Sequence, residues 1–282
     1  MAQDWLDAFI AADRLPESFR RTAAVVCAPL AEMAAAARRT LGRTAVIGVC
    51  GPQGSGKSTI CAATQHLLEA KGLSDAILSL DDLYLSRAAR AELARAVHPL
   101  LATRGPPGTH HPVLGIEVLR RLGEPGEVAL PRFDKAADTP RPPSEWPRVA
   151  APVDVVLFEG WCVGARPQPA EALVQPVNAL ERDEDPDGRW RSFVNLALDG
   201  AYQPLFATID RLVLLQAPGF EVVAGWRAEQ EAKLRARTGG GMGPDEIARF
   251  VAHYERLTRW IAQEAPARAD WVVPLAADRT PL

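Results

Sequence analysis

The chain has 282 residues, enough for one large α/β domain or two small ones. Its 48% hydrophobic and 24% charged residues describe an ordinary soluble globular protein, and a net charge of −3 gives no support to a nucleic-acid or anionic-membrane partner. The amino terminus, Met1 to Asp7, lacks the apolar core of a signal peptide, no run is long enough to cross a bilayer, and Cys27, Cys50, Cys61 and Cys162 have no paired metal spacing, so a cytoplasmic protein with buried thiols is expected.

Residues 4–12 and 17–41 read as helices. In the second, Phe19, Ala23, Val26, Leu30, Met33 and Ala37 share one face, while Pro29 should kink or split the pattern. Residues 1–43 are expected to form a helical extension packed on the core, with 44–282 a single unit, because so short a segment buries little surface alone. The apolar run 44–50 predicts a parallel strand covered on both faces. It leads into Gly51-Pro52-Gln53-Gly54-Ser55-Gly56-Lys57-Ser58-Thr59 and then a helical pattern that Gly72 stops. This is the phosphate-binding loop G-x-x-x-x-G-K-[ST] in its strand–loop–helix setting. Its glycines let successive N–H groups turn towards an anion, and the helix adds its free amides and positive dipole end. Residues 51–59 are therefore candidates for holding a nucleoside triphosphate. Lys57 would reach the β- and γ-phosphates, and the Ser58 hydroxyl would coordinate Mg²⁺. An ordinary glycine turn is the competing account.

A second strand, 76–80, runs straight into Asp81-Asp82-Leu83-Tyr84. Residues just beyond the carboxyl ends of parallel strands face the ligand crevice, so this pair is placed for chemistry; a helix cap or turn is the alternative. A helix over 86–97 precedes a loop, Arg104 to His111, whose adjacent histidines could bind metal, contact substrate or lie on the surface. A helix at 116–122 and a strand near 127–130 follow, and residues 136–152, with five prolines, read as an irregular excursion. The strand 153–158 ends in Glu159-Gly160; a carboxylate there is the second signature of a phosphate-loop enzyme, helping to hold the metal. The charged run 181–192 reads as a solvated face. A core strand at 209–215 precedes a long helix from about 219. Its basic residues run into Gly239-Gly240-Gly241, either a lid over the phosphates or a charged face with a flexible connector. Pro244 starts a further amphipathic helix, and 271–275 is a last strand whose proline implies an edge or end.

Several blocks together resemble the glycerate 3-kinase-like proteins of the phosphoribulokinase/uridine kinase/pantothenate kinase group. They include Gly51–Thr59, Ser79 to Leu85, Arg104-Gly105…Gly108-Thr109-His110, Pro131-Arg132-Phe133-Asp134-Lys135, Phe158-Glu159-Gly160-Trp161 and Trp226-Arg227-Ala228-Glu229-Gln230-Glu231, in the expected order over about residues 45 to 260. The resemblance implies an α/β phosphate-loop fold of three layers with a mostly parallel central sheet and a helical lid. It implies transfer of a phosphoryl group from ATP, with Mg²⁺, to a hydroxyl of a small acceptor, D-glycerate first. Asp81 matches the acid that takes the acceptor proton, Glu159 the strand-end carboxylate beside Ser58, and Arg227 and Arg235 the basic lid. Tyr84, Arg104, His110, Arg132 and Lys135 would line the acceptor pocket, where cations suit an anionic acceptor. The family's Thr-His-Asp reads Thr109-His110-His111 here, a lost carboxylate that bears on the acceptor more than on the reaction. A sister kinase for another polyol, sugar or nucleoside, and an ATP-binding regulatory protein with little turnover, are the alternatives. Neither a nucleic-acid nor a membrane partner is expected, and the oligomeric state carries no signal.

Overall fold

The computed structural model describes residues 4–238 and 242–282. Three helices come first: α1 (Asp4–Asp13), α2 (Phe19–Thr22) and α3 (Ala28–Leu41), the last two joined by a π-turn over Ala23–Cys27. Proline has no N–H to give and its ring crowds the carbonyl four residues back, so the helix widens just before Pro29 instead of breaking. Next come β1 (Ala45–Cys50), α4 (Lys57–Glu69), β2 (Asp75–Ser79), α5 (Arg87–Ala96) and α6 (Pro112–Leu122). Four short strands follow, β3 (Gly126–Ala129), β4 (Phe133–Asp134), β5 (Thr139–Pro140) and β6 (Arg148–Ala151), then β7 (Val155–Gly160). The remainder is α7 (Ala179–Glu184), α8 (Arg189–Ala197), α9 (Gln203–Phe206), β8 (Arg211–Gln216), α10 (Glu221–Thr238), α11 (Pro244–Glu264) and β9 (Trp271–Pro274).

Five strands form one wholly parallel sheet in the order β2-β7-β1-β8-β9. β1 and β7 are buried at every position, which is why their sequences are apolar throughout. Alternate side chains go to opposite faces. Ile47, Val49, Leu157 and Leu215 pack with Val26, Leu30 and Ala34 of the amino-terminal helices and Ile60 of α4. Val46, Phe158 and Leu214 pack with Leu119, Leu205 and Leu257 on the other side. Helices on both faces give the three-layer α/β architecture. In register, Ser79 and Val49 both lie beside Glu159, so β1, β2 and β7 end at one level. The strand order reverses at β1, and a ligand crevice is expected there.

Three expectations need correcting. Residues 136–152 are not wholly irregular: β6 pairs antiparallel with β3, and β5 with β4 in a hairpin of two residue pairs. Such short strands carry too few residues for alternation to show. The run 181–192 is only in part a solvated face: Arg182, Asp183, Glu184, Asp187 and Arg189 are exposed, but the rest of its charges are not. Glu181, Asp185 and Arg191 are buried, Glu181 paired with Arg256 and Asp185 with Arg191. The helix expected at 116–122 begins at Pro112. Among the described residues no helix is long and apolar enough to cross a membrane.

Candidate active site

The loop between β1 and α4 is shaped by its glycines. Gly54 and Gly56 have φ of 76° and 91°, which side chains rarely adopt. A Cβ on Gly51 would come within 2.9 Å of Leu215 Cβ, and one on Gly54 within 2.6 Å of Trp226 Cβ, so α10 lies directly on the loop. Lys57 opens α4, and its Nζ donates back across the loop to the Pro52 carbonyl at 3.1 Å. Thr59 lies in the same first helical turn, whose amides have no acceptor within the helix. Both amide atoms of Gln53 and the Ser55 hydroxyl are buried without a partner. A donor-lined concavity at a helix amino terminus, with buried polar atoms awaiting partners, fits a polyphosphate.

The Ser58 hydroxyl donates to Glu159 Oε1 at 2.9 Å, and Glu159 is 5% exposed. Two oxygen ligands from two elements suit a hard divalent cation that draws its remaining ligands from phosphate and water. Among the described residues no group of three or more His, Cys, Asp or Glu side chains could hold a metal by itself.

Beyond β2, a 3₁₀ turn over Leu80–Leu83 carries the two acids. Its cap is Ser79, whose Oγ accepts from the Asp81 N–H, so neither carboxylate is used as the cap. Asp81 Oδ1 accepts from the Tyr84 hydroxyl and Oδ2 from Lys135 Nζ, both at 2.7 Å. Burial pushes this carboxyl up, but the Lys135 charge and hydrogen bond, then Tyr84 and Lys57, hold it well below the usual range. Lys135 is raised in turn by Asp81. Asp82 turns elsewhere, accepting from the Phe133 N–H at 3.0 Å and Arg132 Nη1 at 3.4 Å, and burial raises it. Arg132 also donates to the Pro131 carbonyl.

The adjacent histidines part company. His110 stacks on Tyr84 with ring centroids 4.6 Å apart, its Nδ1 is 2.6 Å from the Tyr202 hydroxyl, and its Nε2 is buried without a partner. Burial lowers its pKa to about 3, so it is neutral. His111 is exposed, and its Nδ1 accepts from the Leu114 N–H at 3.3 Å as the cap of α6. The departure from Thr-His-Asp thus falls at a helix cap, a position where aspartate also serves.

Arg104 Nη1 donates to Asp138 Oδ1 at 2.6 Å, with the guanidinium 5.8 Å from the Phe133 ring. Asp138 also accepts from Arg90, which is 1% exposed. Arg227 pairs with the buried Glu231, lies 4.9 Å from the Phe250 ring, and leaves Nε buried without a partner. Arg235 donates to the Met242 carbonyl. The expected hinge, Gly239 to Gly241, lies outside the described residues. Sequence reasoning passed over Arg90, Asp138 and Tyr202, whose partners are far along the chain. A mostly apolar cavity of about 220 Å³ opens beside the loop, lined by Gly51, Pro52, Trp161, Phe220 and Arg259 among others; none of the charged groups around Asp81 faces it.

Residues 46–165 match the model of the phosphoribulokinase/uridine kinase family. The chain is 36% identical over 228 residues to the uncharacterized kinase mug58 of Schizosaccharomyces pombe, covering 76% of this chain and 79% of that protein. It is 33% identical over 220 residues to the chloroplastic D-glycerate 3-kinase of Arabidopsis thaliana, covering 74% of this chain and 46% of that one. Among solved structures, D-glycerate 3-kinase from Cryptococcus neoformans superposes with a TM-score of 0.74 at 26% identity, over 90% of this chain and 97% of that one.

Proposed function

The chain belongs to the phosphoribulokinase/uridine kinase family and is an ATP-dependent kinase, and on that premise we propose that it phosphorylates a hydroxyl of a small hydroxy acid, D-glycerate first. One observation carries the acidic acceptor. In the ion pairs around Asp81, four cations (Arg90, Arg104, Arg132, Lys135) meet three carboxylates (Asp81, Asp82, Asp138). Arg90 and Arg104 share Asp138, so one positive charge is in surplus, and Arg104 at 23% exposure is the reachable one. A desolvated cation without a counter-charge is costly, and a guanidinium accepts a carboxylate through parallel hydrogen bonds. A monoanionic acceptor completes the set; a neutral sugar or nucleoside does not.

In this reading the loop amides, Gln53, Ser55 and Lys57 hold phosphate oxygens, and Ser58 and Glu159 hold Mg²⁺. The metal, when bound, neutralises charge developing between the β- and γ-phosphates. Asp81 receives the acceptor hydroxyl on a second lone pair, since each of its oxygens has accepted only one hydrogen bond. A carboxylate held so low is a weak base. In a loose phosphoryl-transfer transition state the proton leaves late, so orienting the hydroxyl matters more than base strength. Arg227, from α10 on the loop, brings charge to the transferring group.

An acceptor screen with ATP and Mg²⁺, followed through ADP release, tests this. D-glycerate should accelerate ADP release strongly. Activity confined to a nucleoside or neutral sugar would overturn the acceptor, and tight ATP binding with no accelerating acceptor would favour a regulatory protein.

A further inference from the structure

The β4–β5 hairpin contributes Lys135 to the site, yet two residue pairs cannot hold a hairpin in place by themselves. The Phe133 ring is buried against Tyr84, with centroids 5.2 Å apart, and three polar attachments add to that packing. The Phe133 N–H is fixed to Asp82, Lys135 reaches Asp81, and Asp138 reaches two guanidinium groups. The third is the most firmly founded. Arg90 is buried, with Nε donating to the Ala102 carbonyl at 3.1 Å and Nη1 to the Leu85 carbonyl at 2.6 Å, so the guanidinium that meets Asp138 is locked to the start of α5 and to the turn before Thr103. Asp138 has a φ of 54°, a left-handed conformation aspartate tolerates better than most residues, and this turns its carboxylate out of the hairpin towards Arg90. The Asp134 carboxylate meanwhile accepts from the N–H groups of Ala136 and Ala137 and lies 3.9 Å from the Arg141 guanidinium, contacts that stay within the hairpin and the residue just after it. A buried arginine facing one carboxylate makes that carboxylate hard to replace.

We propose that Asp138 is a positioning residue: anchored on Arg90, it docks the hairpin so that Lys135 stays on Asp81 and the acceptor hydroxyl meets a fixed, ionised carboxylate. The claim rests on the reading of Asp81 and Lys135 as acceptor-side groups. Asp138 itself touches neither acid. It acts on the reaction rate through Lys135, and on acceptor affinity only where it meets Arg104.

The test has a kinetic arm and a structural arm. Wild type, Lys135→Met, Asp138→Asn and the double variant are assayed with ATP, Mg²⁺ and D-glycerate. Asp138→Asn should lower kcat about 10- to 100-fold, the size of a lost charge-assisted hydrogen bond, with the KM for ATP unchanged. In the Lys135→Met background the same substitution should add little to the fall in kcat, because both act through one contact. A loss of undiminished size there would mean that Asp138 only supports the fold, and would overturn the proposal. In the structural arm, limited trypsin digestion without ligands should cut the Lys135–Ala136 bond faster in Asp138→Asn, by at least about tenfold, with cleavage elsewhere unchanged. Equal cutting would also overturn it. Should wild type ignore D-glycerate, the acceptor reading falls while the trypsin arm still decides the docking. If the single variant fails to fold, Arg90→Met with Asp138→Asn removes the stranded charge and carries both arms.

Discussion

The two halves of the site are built by different means. The phosphate side is made of consecutive backbone: Gly51 to Thr59 bend so that amides and one lysine converge, and the glycines are fixed by close approach to Leu215 and Trp226. The proposed acceptor side is made of side chains from separate segments, Asp81 after β2, His110 before α6, Lys135 and Asp138 in a hairpin, each held by ion pairs or stacking. Backbone geometry tolerates almost no change at the residues that define it, whereas a mosaic of side chains can be retuned one member at a time.

Substitutions can break or sharpen the contrast. The largest effect should come from Lys57→Ala, which removes the ammonium that the loop folds around: kcat/KM for ATP should fall by about 10³-fold or more, measured by steady-state ADP release. Asp81→Asn should separate the halves. It is expected to leave the KM for ATP unchanged while lowering kcat by roughly 10²–10⁴-fold. A variant turning over normally would hand the role to another group.

A smaller effect concerns pH. His110 is lowered to about 3 by burial, so the unfolded chain binds a proton at a higher pH than the folded one. The stability tied to keeping it neutral is therefore complete above the ordinary histidine range and drains away as pH falls from there towards about 3. Melting curves of wild type should decline more steeply over that interval than those of His110→Gln, and parallel declines would refute the assignment. The smallest effect is expected from His111→Asp. Aspartate at the amino end of α6 should stabilise by about 0.5–1 kcal/mol through capping and the helix dipole, with the ranking of acceptors unaltered. A changed ranking would return that position to the pocket.

The same contrast governs what the sequence discloses. The phosphate loop is legible because its donors are neighbours, and Asp81 and Glu159 are legible because apolar strands stop at them. The parallel sheet follows from fully apolar strands such as Val155 to Phe158. The anchoring of the acceptor side is not legible: Arg90 meets Asp138 across 48 residues, and His110 meets Tyr202 across 92. Nothing local marks those pairings. Burial of Glu181 and Asp185 is not legible for the same reason, because Glu181 finds its arginine at residue 256 and a charged run looks alike whether it faces water or a partner. Adjacent histidines look alike in the sequence, yet His110 packs inward on Tyr84 while one residue further the chain has already turned into α6.

The amino-terminal helices have a practical bearing. Val26, Leu30 and Ala34 lie against the sheet beneath the phosphate loop, and Trp5 and Phe9 sit 5.5 Å and 5.6 Å from the ring of His66 on the helix that the loop feeds. A shortened version starting at Thr44 would bare a greasy wall and should come out of the cell as inclusion bodies, so anyone trimming this enzyme for crystals would do better to leave its first forty residues alone.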